Sequence, residues 1–143
     1  MVKPTRARNL PLLTDEEVEA RRPVLLAGIE QYNSGYFFEA HETWEKLWLR
    51  SPWPFREFLQ GMIQLAAAFV HLKRHEYPGV IRLLDEALAK LEDASMTMGV
   101  DAKRLVAEAR VARAELAALG PERFEEWDQR RIPQIRLLPS KKR

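Results

Sequence analysis

The 143-residue chain is 46% hydrophobic and 31% charged, which fits a soluble globular fold with a core of its own. It has no cysteine; that excludes disulfides, thiolate catalysis and Cys-based zinc sites, and suits a reducing, cytoplasmic setting. The net charge of +2 hides a segregation: residues 9–129 hold 14 Lys and Arg against 21 Asp and Glu, while the two ends carry the other nine basic residues and no acid.

In chain order, Lys3, Arg6 and Arg8 open the sequence without the apolar run of a signal peptide. Thr14 followed by Glu17 is a capping box and starts the first helix. Pro23 is expected to interrupt or restart that helix, because a proline deep inside removes a backbone hydrogen bond. Asn33, Ser34 and Gly35 end it, with Gly35 suited to the left-handed conformation. A second helix is predicted over about 36–49 and a central one over about 55–74, separated by the "SPWPF" break. "HEYPG" turns the chain into a helix over about 80–92. After "MTMGVD" comes an Ala/Arg/Glu-rich helix over 102–119, and Gly120 and Pro121 start a short last helix holding Trp127. Ile132, Ile135, Leu137 and Leu138 make the following segment too apolar for a free end, so part of it is expected to dock.

Strand signals are nearly absent. The chain therefore reads as all-α, an antiparallel helical bundle of about five or six helices with hairpin-type packing. It is expected to form a single domain over 1–143, with a core at 24–92, a helical extension at 102–131 and a basic tail at 132–143. A weak two-fold internal repeat pairs Tyr36, Ala40, Glu45 and Leu47 with Tyr77, Ile81, Glu86 and Leu88. The longest uncharged apolar stretch, Phe58 to Leu72, is 15 residues with two glutamines and a histidine inside it, so no membrane span is expected. The basic tail could attract an acidic surface. Nucleic acid is not expected as a partner, because no aromatic-basic interleaving or helix-turn-helix pattern accompanies the tail.

The chemistry-bearing residues gather on the second and central helices. At about 100° per residue, Phe37, His41, Trp44 and Trp48 share a stripe about 60° wide, with Glu45 about 40° beyond His41. Glu39, Glu42 and Lys46 point away. Glu42 should be wet and Glu45 at least half buried. The central helix has one polar line, Gln60, Gln64 and His71, and small residues Gly61, Ala67 and Ala68 that let another helix approach. The simplest assembly packs that line against His41 and Glu45, giving a buried His–Glu–Gln network that satisfies its own polar groups. A second reading makes the same residues the polar end of a ligand pocket walled by Trp44, Trp48 and Trp53. A third uses His41 and Glu45 at i,i+4 spacing, with His71, as metal ligands. His75 reads as a surface turn residue. No nucleophile stands beside these groups: there is no serine elbow and no phosphate-binding glycine loop.

The stretches "NSGYFFEAHETWEKLW", "FLQGMIQLAAAFVHLKR" and "PGVIRLLDEALAKL" resemble the bacterial and archaeal family catalogued as domain of unknown function 309. The shared pattern falls on Asn33, Gly35, Phe37, His41, Glu42, Glu45, Trp48, Gln60, Gly61, Ile63, Gln64 and Ala66, and covers about residues 24–92. The resemblance implies an all-α bundle of antiparallel helices and no particular activity. It sets Glu42 beside Glu45, although the helical wheel turns Glu42 outward; a role for Glu42 would then lie at a surface or interface.

The leading expectation is a non-catalytic binding or scaffold module built around His41, Trp44, Glu45, Trp48, Gln60, Gln64 and His71. It would need no cofactor and would act on a protein or small-molecule partner, a homodimer included. The alternative is a metal-dependent, hydrolase-like enzyme using His41, Glu45 and His71.

Overall fold

In a computed structural model, described for residues 14–52, 55–94 and 96–139, five α-helices follow one another: α1 (Asp15–Asn33), α2 (Phe37–Trp48), α3 (Phe55–Lys73), α4 (Tyr77–Asp93) and α5 (Ala102–Arg123). Two short 3-10 turns, Phe124–Glu126 and Gln129–Arg131, come after them. The helices pack on one another as an all-α bundle, and among the described residues the sole β pairing is an isolated antiparallel bridge, Val100 to Leu137. None of these helices is long and apolar enough to cross a membrane.

Local sequence explains most of the boundaries. Thr14 accepts from the Glu17 backbone N–H while the Glu17 carboxylate accepts from the Thr14 N–H, closing the predicted capping box. Gly35 takes φ +91° in the turn to α2. The α3–α4 turn instead puts His75 at φ +60°, exposed and 2.9 Å from Glu125. Gly120, at φ +77° and ψ 178°, breaks the line of α5, so the predicted last helix shrinks to the turn around Pro121 and a 3-10 segment ending at Trp127.

Pro23 departs from expectation, because α1 runs unbroken through it. Pro23 and Glu19, whose carbonyl loses its partner, both lie on the exposed side of the helix, where water can serve that oxygen. Helix α4 also starts three residues earlier than predicted, with Pro78 in its first turn.

The core is centred on α3. Phe58, Leu59, Met62, Leu65 and Phe69 are fully covered, as the near-uniform hydrophobicity of this helix requires. Two close approaches fix its neighbours. A Cβ at Gly61 would lie 2.9 Å from the Leu91 side chain, so this glycine seats α4 against α3. A Cβ at Gly28 would lie 2.1 Å from Trp44 Nε1, so α1 and α2 meet with the indole pressed on bare backbone. Trp44 is wholly buried and donates to the Leu25 carbonyl at 3.2 Å. Tyr32, Phe37, Trp44 and Phe69 form an aromatic cluster that joins α1, α2 and α3.

The segment after α5 folds back, as its apolar residues predicted. Asn33 clasps it: its amide donates to the Ile135 carbonyl and its oxygen accepts the Ile135 N–H, both at 2.9 Å. Ile135 is buried, whereas Leu137 and Leu138 stay about half exposed. Residues 140–143, with the last three basic side chains of the tail, lie outside the described residues.

Candidate functional site

Helix α2 is amphipathic, and its buried arc is Phe37, Ala40, Trp44 and Leu47. That arc is centred on Ala40 and Trp44 rather than on His41. Glu45, one residue on from Trp44, is rotated roughly 100° out of the core. It is exposed, not half buried as expected; Glu42 is exposed as predicted, and His41 sits at the boundary.

Consequently the buried His–Glu–Gln network is not formed. Because Gly61 gives the polar side of α3 to α4 and not to α2, Gln64 donates to Glu86 Oε1 of α4 at 3.1 Å. His71 meets Glu76 in the following turn, Nδ1 to Oε1 at 2.6 Å, while its ring covers Gly79. Gln60 is half buried on the same helix. The proposed metal trio of His41, Glu45 and His71 is likewise divided, since His71 is committed to Glu76. The tryptophan-walled pocket fares no better. Trp44 is packed solid, and Trp48 carries the Arg56 guanidinium 4.1 Å above its ring, a cation–π contact that occupies that face. Trp53 lies outside the described residues.

What the fold does bring together is His41, Glu42 and Glu45. One ligand-type atom from each lies within 4.8 Å of the others. His41 Nδ1 is itself buried without a hydrogen bond; its contact to Glu42 Oε2 is 3.5 Å. Phe38 stacks beside the imidazole, ring centroids 6.4 Å apart and planes 10° from parallel, which limits how the ring can turn. The i, i+1, i+4 spacing puts a neutral-or-cationic imidazole between two carboxylates on a helix whose other side is anchored. Such a group can accept hydrogen bonds, pair with a cation, or ligate a divalent metal.

This face has apolar ends. Phe38 is 52% and Leu49 65% exposed, and they bracket Glu42 and Glu45 along one line at positions i, i+4, i+7 and i+11. Reasoning from periodicity alone missed the stripe because it weighted the buried side of the helix. The signal was present in "FEAHETWEKLWL" as a second, wetter periodicity beginning at Phe38.

Glu115 was not singled out from sequence either. Its carboxylate accepts from Arg131, from Nε at 2.8 Å and Nη2 at 2.5 Å, and from the Trp127 indole at 2.9 Å. These contacts, Arg131 first and then Trp127, hold the Glu115 carboxyl below the ordinary glutamate value. It is a structural clasp for the returning segment.

Neither a curated protein nor a solved structure matches the chain. Residues 25–83 match a family model, a span that runs from within α1 into α4 and contains the whole of α2. That model is the one described as Domain of unknown function (DUF309), and over this span the chain is similar to it.

Proposed function

We propose that this protein is a non-catalytic binding module whose docking surface is the outer face of α2. One observation carries the reading: two large, half-exposed apolar side chains, Phe38 and Leu49, flank a carboxylate–imidazole cluster on a helix held rigidly from behind. An apolar rim around a few convergent polar groups is the pattern of a recognition surface, and interface cores favour aromatic anchors of the Phe38 kind. Glu42 and Glu45 select the partner: a protein segment that offers basic side chains between apolar ones. The absence of cysteine supports a cytoplasmic setting for this role.

Photo-crosslinking capture from cell extract tests the reading. Phe38→Asp and Glu45→Lys should each abolish a crosslinked partner that wild type retains. Val111→Asp, at an exposed apolar position on α5, should leave it in place. Identical capture by all four proteins, or capture by none, overturns the proposal.

A divalent cation at His41, Glu42 and Glu45 is the second reading, favoured by the clustering of their ligand atoms and by the unpartnered Nδ1. It replaces His71 with Glu42 in the expected ligand set. Calorimetric titration with Mn2+ or Zn2+ should then show one site, lost in His41→Ala and Glu45→Gln and kept in His71→Ala. No saturable heat in the wild type removes this reading and leaves the docking surface untouched.

A further inference from the structure

Two clefts adjoin where α1 turns into α2. One, of about 230 Å3, is lined by Ser34, Lys73, Gln129, Arg130 and Gln134 among others. Its neighbour, of about 250 Å3, is bordered by Tyr36, Phe38 and Arg74. Gly35, Phe37 and Lys73 belong to both.

The charge here runs against the rest of the body. Residues 9–129 hold an excess of acid, yet the first cleft has no carboxylate in its lining and the second has only Glu39. Lys73 and Arg74 have no acidic partner among the described residues. Arg130 gives Nε and Nη2 to Asp128, so its charge is partly balanced while Nη1 stays available. The first turn of α2 opens at the same place, and the Tyr36 side chain at its N-cap makes no capping hydrogen bond.

A separate observation concerns Tyr32, which lines the first cleft and is 1% exposed. Its hydroxyl has no hydrogen-bond partner. Burial, with Glu108 adding to it, keeps that hydroxyl protonated and therefore a donor. The Lys73 ammonium, the remaining Arg130 N–H and the Gln129 amide lie around one small space, while Gln134 gives its Nε2 to the Asn33 carbonyl at 3.5 Å. The exposed rings of Tyr36 and Phe38 supply a flat apolar margin.

We propose that this turn binds a small aromatic oxyanion, a phosphate or a carboxylate, with Lys73 as its anchoring cation. The site adjoins the docking stripe at Phe38, but Glu42 and Glu45, the acidic centre of that stripe, line neither cleft.

The test is an amide NMR titration of the full chain with phenyl phosphate and, separately, with benzoate, at constant ionic strength. Binding should give saturable shifts clustered at Gly35, Phe37, Phe38 and Lys73. Lys73→Glu should weaken it at least tenfold, while Lys46→Glu, on the exposed side of α2, should leave it unchanged. Thermal melting of both variants shows that each is folded. The compound that saturates identifies the headgroup. Absence of saturable shifts with either compound, or equal binding by Lys73→Glu, overturns the proposal.

Discussion

Replacing Gly28 with alanine isolates the contact that holds α2 in place. A Cβ at this position would lie 2.1 Å from Trp44 Nε1 and 2.5 Å from Cε2, inside the van der Waals envelope of a wholly buried indole. The ring cannot slide away freely, since Tyr32 packs on it and its N–H is bonded to the Leu25 carbonyl. Over-packing of this kind costs about 1–3 kcal/mol. Displacing the indole N–H from its acceptor adds about 1–3 kcal/mol if it stays buried and unpaired. Against both stands the better helix propensity of alanine, about 1 kcal/mol. The sum is a destabilisation of about 3 kcal/mol, or a melting temperature lower by about 10 °C for a chain of this length. Urea unfolding followed by circular dichroism and tryptophan fluorescence measures it directly. A Gly28→Ala protein as stable as wild type, or more so, would show that propensity outweighs the clash. The reasoning that places Trp44 against bare backbone would then be refuted.

Three further outcomes follow from the same structure. Glu42→Gln and Glu45→Gln should each change unfolding free energy by no more than about 0.5 kcal/mol, as exposed positions do; a loss several times larger in urea titrations would return Glu45 to the core. Asn33→Ala removes both bonds to Ile135 and should cost about 1–3 kcal/mol, with faster limited proteolysis after Arg130 or Arg131 as the visible sign. Glu115 supplies a pH dependence. Its folded pKa is depressed, so its contribution is present above the ordinary glutamate value and is lost as pH falls through the lower, folded one. The Trp127 indole N–H signal in NMR should shift over that acidic window, and Glu115→Gln should abolish the transition; an unchanged profile in the variant refutes the assignment.

Much of this fold was legible in the residues. Thr14 and Glu17, Gly35 and Gly120 mark helix ends by local chemistry, which operates over one turn of chain and needs no partner. The apolar wheel of α3 announced a central helix, and the wetness of Glu42 followed from its angle alone. Pro23 misled because a proline is harmless when the carbonyl it strands faces water, and which side of α1 faces water is settled by what packs on the other.

The candidate site illustrates the same division. His41, Glu45, Gln60, Gln64 and His71 were rightly read as the polar residues of two neighbouring helices. Their partners depended on which side of α3 each neighbour takes. Gly61 gives one side to Leu91 of α4, and the aromatic cluster of Tyr32, Phe37 and Phe69 gives another to α1 and α2. Gln64 therefore turns to Glu86, His71 to Glu76, and Glu45 is left in solvent beside His41 and Glu42. Sequence by itself determined the helices, their caps and the residue set that carries chemistry, because these follow from backbone sterics and hydrophobic periodicity. Only tertiary structure decided which of those residues meet, because a helix rotated by tens of degrees about its own axis keeps its pattern and changes its partners.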